Sequence, residues 1–358
     1  MSLPTIVVLD DYQGFSKAPF ERLQSTGYQI TTFTDTLPPY NHPDTRQDAK
    51  DALVNRLEPF GSMRERTPFP AELINRLPNL KLLLTTGARN ASINVEACQA
   101  RGIQVAGTGN DGAPAPGPDS TTQHTVALTL ALARNIPQDD AIMKSGGWQA
   151  KDAVGLPGKI FGTVGLGRLG VSVSRIMHLA FGMRVIAWST NLTQDAADEK
   201  ARAAGLPVED ETGAKTFKVV SRDELFSTAD VVSIHVVLSE RSKGLVGTGD
   251  LEKMKKSALL VNTSRGPIVN EDELLEAGKK GLIRGIGLDV YGVEPLPKDS
   301  EWRTTKWGES GRSEVVMTPH MGYVVADNIR AWYEQQSDNI LRWQKGEALN
   351  TQYKDNGY

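Results

Sequence analysis

Short runs of apolar, mostly β-branched residues alternate with helix-period patterns along nearly the whole chain. Polar residues enter these runs only near their ends. Such runs fit strands covered on both faces, and their alternation with helices points to parallel sheets joined by crossover helices. In the first third the strand candidates are Ile6–Leu9, Gln29–Thr32, Lys81–Thr85 and Ile103–Val105, with helical stretches at Ala71–Arg76 and Val95–Ala100. Further along come Ile160–Val164, Arg184–Ala187, Val231–His235, Leu259–Asn262 and Ile286–Asp289. The pattern predicts an α/β fold.

Two junctions interrupt it. Gly107–Asp119 is rich in Gly and Pro and precedes a long helical pattern, Thr121–Arg134. Thr318–Tyr323 precedes a second long amphipathic stretch, Ala326–Trp343. Residues 120–321 therefore read as one domain inserted between the two pieces, 1–119 and 322–358, of another. A chain of 358 residues exceeds one ordinary core, which agrees with two domains. Pro297–Ser313 is polar and charged and reads as a surface loop.

Composition narrows the function classes. A net charge of −3 removes the main electrostatic argument for binding nucleic acid. No apolar run approaches the roughly 18–20 residues of a membrane span; Val126–Ala133 is short and interrupted by Thr129. No basic segment with a small-residue cleavage site follows Met1, so no signal peptide is expected. The one cysteine, Cys98, excludes an internal disulfide and suits a reducing, cytoplasmic compartment; its helical surroundings make it a small core residue. No metal site is expected.

Gly165-Leu166-Gly167-Arg168-Leu169-Gly170 follows the strand candidate Ile160–Val164 and opens a helix, Val171–Ala180. In that setting the first glycine permits a tight turn, the second lets the backbone approach a pyrophosphate, and the third lets helix and strand pack closely. The helix N-terminus adds amides and partial positive charge, which makes Arg168 and Leu169 candidate phosphate contacts through their backbone. An NAD enzyme usually places an acid about 20 residues on, at the end of the next strand, to accept from the ribose 2′-hydroxyl. Here that strand ends in Trp188, then Ser189-Thr190-Asn191. Nothing there repels a 2′-phosphate and no arginine attracts one. The cofactor is NAD or NADP, with a slight lean to NADP.

Three later segments end strands of the same sheet: Asn262-Thr263-Ser264-Arg265-Gly266, Asp289 to Glu294-Pro295, and Thr318-Pro319-His320-Met321-Gly322. Ligands of open parallel sheets bind beyond the carboxyl ends of the strands, so these distant residues can converge. Reduction of a keto acid needs a cation to grip the carboxylate and polarise the carbonyl, and Arg265 offers a planar fork. It needs an acid for the carbonyl oxygen, and His320 suits that role near neutral pH. A neighbouring carboxylate such as Glu294 can raise a histidine pKa by about 1–3 units and keep the proton available. Asp289 can accept from the nicotinamide carboxamide, while Thr263 and His235, at strand ends, are candidates to border the cofactor, with a structural role the alternative for His235. His178, inside the helix after the Gly-rich turn, reads as a packing residue.

At these residues the chain resembles the D-isomer-specific 2-hydroxyacid dehydrogenases, which include phosphoglycerate dehydrogenases and glyoxylate/hydroxypyruvate reductases. The resemblance runs through Gly162–Gly170, Ala229–His235, Val261–Val269, Leu288-Asp289-Val290 and Glu294–Pro297. It implies two Rossmann-like, doubly wound parallel-sheet domains, with the coenzyme domain inserted in a split substrate domain, and a homodimer. It implies the catalytic roles just described for Arg265, Glu294 and His320, on a small 2-keto or 2-hydroxy acid. It also directs attention to Gly87-Ala88-Arg89-Asn90, where the family's loop presents backbone amides to the substrate carboxylate. The family often has Glu where this chain has Gln123. Two rival readings share the scaffold: a formate dehydrogenase, whose branch carries Gln in place of Glu294, and a nicotinamide-sensing binding protein of corepressor type.

Overall fold

Successive residues of a strand point to opposite faces, and here both faces are apolar. In Leu259–Asn262, Leu259 and Val261 join one hydrophobic cluster and Leu260 joins another. Val231 and Val232 of Val231–Ile234 divide in the same way. Each such strand is buried by helices above and below.

The computed structural model describes residues 4–57, 61–64, 66–87, 90–109, 117–149 and 151–350. The chain divides into two compact units, 1–115 with 324–358, and 116–323; the sequence reading put the divisions after 119 and after 321. The first unit holds β1 (Thr5–Leu9), β2 (Gln29–Thr32), β3 (Gly61–Met63), β4 (Leu82–Thr85) and β5 (Gln104–Ala106) in the order β2-β1-β3-β4-β5. All its pairings are parallel. The second holds β6 (Ile160–Val164), β7 (Arg184–Trp188), β8 (Phe217–Val219), β9 (Val231–Ile234), β10 (Leu259–Asn262), β11 (Gly285–Leu288) and β12 (Glu314–Met317). Their order is β12-β11-β10-β9-β6-β7-β8, again all parallel. Both are doubly wound Rossmann-like sheets. In the larger one the winding reverses between β6 and β9, which opens a crevice at their carboxyl ends.

Local sequence explains how the helix Ser120–Ala133 closes on this sheet. Asp119 caps it, its side chain accepting from the Thr122 amide. A Cβ at Gly285 or Gly287 of β11 would press on Leu132 or Leu128 of this helix, so the glycines set how near it lies.

Two strands, β3 and β8, escaped the sequence reading, and β12 entered it only through the strand end at Thr318. β3 is the short run Gly61-Ser62-Met63, and β8 and β12 sit at or beside a sheet edge with charged residues. The segment Pro297–Ser313 is not simply a surface loop. It contains a helical turn, Glu301–Thr304, with Trp302 only 2% exposed. Trp302 stacks on Trp307, ring centroids 5.3 Å apart, and donates from Nε1 to Glu271 Oε1 at 2.9 Å. Two tryptophans outweigh the charged residues around them.

Candidate active site

At the end of β6 the chain turns sharply. Gly165 has φ +99°, and a Cβ there would strike Val236 and the His235 backbone. Gly170 lies against the Gly165 carbonyl oxygen, which a Cβ would overlap, while the space over Gly167 is open. Gly167 caps the helix Arg168–Phe181, whose first amides have no partner within the helix. This tight, side-chain-free approach to a helix N-terminus fits the pyrophosphate of a dinucleotide. Leu169 sits in the first turn, partly buried. Arg168 points elsewhere, pairing with Asp119 while remaining mostly exposed.

β7 delivers Trp188 beside this turn, its carbonyl accepting from Gly165 N at 2.8 Å. Ser189 is half-buried and Thr190 is exposed. A cation does reach this strand end, from a segment the sequence reading did not connect with it. Arg222 lies over the Trp188 ring at 5.3 Å and binds both oxygens of Asp250, at 2.8 and 2.7 Å. Its charge is thus shared with a carboxylate.

His235 follows β9, its ring Nε2 at 2.8 Å from Ser233 Oγ. Burial pushes its pKa down to about 4, so its imidazole is uncharged at neutral pH. The unfolded chain would take up a proton below about 6.5, whereas the folded protein refuses it until about 4. Stability should therefore fall as pH drops through that window. Replacing His235 by Gln should flatten this part of the pH–stability curve; an identical curve in the variant would assign the acid sensitivity elsewhere.

The chemistry-bearing residues come from the ends of β10, β11 and β12. After β10, Asn262 organises the turn: its Nδ2 donates to the Arg265 carbonyl at 3.0 Å and its Oδ1 accepts from Ser264 N at 3.1 Å. Thr263 is buried, its hydroxyl 2.7 Å from that of Thr125. The Arg265 side chain is exposed, with one guanidinium nitrogen donating to the Ser264 carbonyl at 2.8 Å. Gly266 then abuts the backbone of Tyr291 and Gly292, where any Cβ would overlap the Tyr291 carbonyl. That contact brings the Arg265 turn against the loop carrying Glu294.

The Glu294 loop is itself pinned. Glu294 Oε1 accepts from Tyr291 N at 3.0 Å, and Glu271 Oε2 accepts from Gly292 N at 2.6 Å. Glu294 Oε2 meets His320 Nδ1 at 2.6 Å, with the two side chains 17% and 12% exposed. Nδ1 thus faces the carboxylate, and Nε2 lies on the other edge of the ring. His320 has φ +54°, an uncommon conformation that histidine tolerates better than most residues. Its N–H donates to the Asp289 carbonyl at 2.8 Å.

Asp289 is almost fully buried and its carboxylate is crowded with donors. Oδ1 accepts from Thr318 Oγ1 at 2.6 Å and Met321 N at 2.7 Å, with His124 Nε2 at 3.2 Å; Oδ2 accepts from Gly322 N at 3.0 Å. Burial would raise its pKa, but the bonds from His124, Thr318 and Met321 outweigh it and hold the carboxyl below its ordinary value. Sequence reasoning missed His124 and Glu271. His124 lies within the helical pattern Thr121–Arg134 but carries no chemical signal there, because one histidine in an apolar helix gives none by itself.

The structure brings Glu294 and His320 together, with the Arg265 turn packed on the Glu294 loop. Gly87, in the other unit, has φ +78° at the end of β4 and donates to Thr108 Oγ1 at 2.8 Å. Asn90 Oδ1 accepts from the Ser92 amide at 3.0 Å, an internal turn. Ala88 and Arg89 lie outside the described residues. His178 Nδ1 is 3.1 Å from the Met183 carbonyl, a structural contact. Among the described residues no cluster of His, Cys, Asp and Glu could hold a metal, and no helix is long and apolar enough to cross a membrane.

Comparison with known proteins adds an independent line. Residues 126–322 match the NAD binding domain of the D-isomer specific 2-hydroxyacid dehydrogenases. A D-3-phosphoglycerate dehydrogenase of Archaeoglobus fulgidus is 35% identical over 277 residues, covering 76% of this chain and 47% of that protein. The match thus spans about half the length of that relative. A glyoxylate reductase of Thermococcus litoralis is 31% identical over 285 residues, covering 77% of each. The crystal structure of a phosphoglycerate oxidoreductase from Vibrio cholerae superposes with a TM-score of 0.78 at 27% identity, covering 96% of this chain and 100% of that one. By sequence and by fold, the chain belongs to the D-isomer specific 2-hydroxyacid dehydrogenase family.

Proposed function

We propose that this protein reduces a small 2-keto acid to the D-2-hydroxy acid, reversibly, using a nicotinamide cofactor held at the Gly165–Gly170 turn. The observation that carries this reading is the 2.6 Å pairing of His320 with Glu294, on a loop packed against the Arg265 turn. The bound nicotinamide supplies the hydride. Arg265 binds the substrate carboxylate and draws electron density from the adjacent carbonyl. His320 gives its Nε2 proton to the carbonyl oxygen during reduction and recovers it during oxidation. Glu294 holds the ring in orientation and balances the charge it carries while protonated. Asp289 Oδ2, with its single bond from Gly322 among the described residues, is the oxygen suited to the nicotinamide carboxamide.

The test is turnover of glyoxylate, hydroxypyruvate, pyruvate and bulkier keto acids, each with NADH and NADPH. At least one keto acid should be reduced. Cofactor binding without turnover would favour the sensing role, and formate oxidation alone would favour a formate dehydrogenase.

Membership of the family carries NAD(H) binding; acceptance of NADPH is our further proposal. Ser189, Thr190 and Asn191 repel no 2′-phosphate, while Arg222 has its charge shared with Asp250. We expect both cofactors to work, with any preference for NADPH modest. Ser189→Asp should turn selectivity towards NADH, mainly by weakening NADPH binding. Unchanged kcat/KM ratios in that variant would mean another residue reads the ribose. A wild type confined to NADH would refute the NADPH proposal.

We also propose a homodimer in the cytoplasm. The helix Ile136–Lys144 buries none of its residues, and Ile136, Met143 and the nearby Trp148 are 57%, 54% and 72% exposed. Such apolar exposure suits a subunit contact. Sedimentation should show a dimer that Trp148→Asp weakens; a monomeric wild type would contradict this.

A further inference from the structure

The turn that presents His320 is held from behind by Asp289 and by His124, and His124 has no place in the reaction proposed above. Thr318, Met321 and Gly322 all donate to the Asp289 carboxylate, and His320 N–H donates to the Asp289 carbonyl. Asp289 is therefore the hub that keeps His320 at its positive φ. His124, from the helix Ser120–Ala133, completes the hub: its Nε2 is 2.9 Å from Thr318 Oγ1 and 3.2 Å from Asp289 Oδ1.

Hydrogen counting settles which partner donates. The Thr318 hydroxyl has one hydrogen, directed to Asp289 Oδ1 at 2.6 Å. Its oxygen can then only accept from His124. An unprotonated Nε2 would set a lone pair against both an oxygen lone pair and a carboxylate. Nε2 therefore carries a hydrogen, shared between Thr318 and Asp289.

The same helix touches the other strand ends of the site. The hydroxyl of Thr125 meets that of Thr263, two residues before Arg265. A Cβ on Gly322 would lie 3.4 Å from Thr121 Cγ2, so Thr121 packs on the His320 turn. One helical turn thus buttresses the segments that carry two of the three proposed catalytic groups.

We propose that His124 is a positioning residue. Its Nε2–H completes the donor set around Asp289 and so fixes the left-handed turn that aims His320. The catalytic consequence rests on the function proposed above; the structural consequence stands alone. Two variants separate hydrogen bonding from packing: His124→Leu removes the donor at similar bulk, and His124→Gln restores an amide donor at similar reach.

The readouts are steady-state kinetics on whichever keto acid the wild type turns over, and hydrogen exchange at the Met321 and Gly322 amides. His124→Leu should lower kcat about tenfold or more, with keto-acid KM within about twofold, because misaiming affects the step and not the grip. Exchange at the two amides should quicken by about tenfold or more, reflecting roughly one lost hydrogen bond. His124→Gln should recover most of both. Wild-type kcat and exchange in His124→Leu would overturn the proposal, as would faster exchange throughout the surrounding sheet with no recovery in His124→Gln. If His124→Leu does not fold, the imidazole nitrogen spectrum of the wild type decides: a neutral ring protonated at Nε2 supports the assignment, and one protonated at Nδ1 contradicts it. Quickened exchange in His124→Leu beside full activity in His320→Ala would leave the hub intact and reject only the catalytic reading.

Discussion

Replacing His320 by Ala should cut keto-acid reduction by about 10²–10⁴-fold while cofactor affinity stays close to that of the wild type. The imidazole is held at Nδ1 by Glu294 at 2.6 Å, and the backbone around it is fixed by Asp289. Removing the ring takes away the proposed proton source but leaves the Gly165–Gly170 turn untouched. The loss should therefore appear in kcat, with cofactor titration confirming a folded, binding-competent protein. Wild-type turnover in such a protein would remove His320 from the mechanism.

Arg265→Lys should cost nearly as much, despite preserving the charge. A lysine is a single flexible point charge, whereas the guanidinium fork can hold a carboxylate with two parallel bonds and reach the carbonyl from a fixed plane. Arg265 stands on a turn whose backbone is set by Asn262 and whose next residue, Gly266, admits no side chain against Tyr291. The variant should fold normally. We expect kcat/KM to fall on the order of 10²-fold, with KM raised and kcat lowered together, since one group both binds and polarises. An unchanged kcat with raised KM would restrict Arg265 to binding, and wild-type kinetics would mean that another cation holds the substrate.

Why these residues could be found in the sequence, and others not, follows from the physics of each. Strands such as Leu259–Asn262 announce themselves because both faces are buried and every position but the last is apolar. β3 does not, because Gly61-Ser62-Met63 is buried by pairing with β1 and β4 and carries almost no apolar pattern. Trp302 was hidden for the opposite reason: it is a core residue in a charged segment, satisfied by a bond to a distant Glu271. His320, Glu294 and Arg265 were legible because strand ends of a parallel sheet converge wherever the sequence places them. His124 and Arg222 were not. Each acts through a partner far along the chain, Asp289 and Asp250, and neither pairing follows from spacing. Even the helix that carries His124 was readable; the direction of one side chain on it was not.

The reaction proposed for this site adds a hydride at carbon and a proton at oxygen of a keto acid. The most direct test is to incubate the wild type with NADH or NADPH and each keto acid, then measure the amount and configuration of the product. D-2-hydroxy acid should form mole for mole with oxidised cofactor. Formation of the L-isomer, or bound cofactor left unoxidised by every keto acid tried, would contradict it.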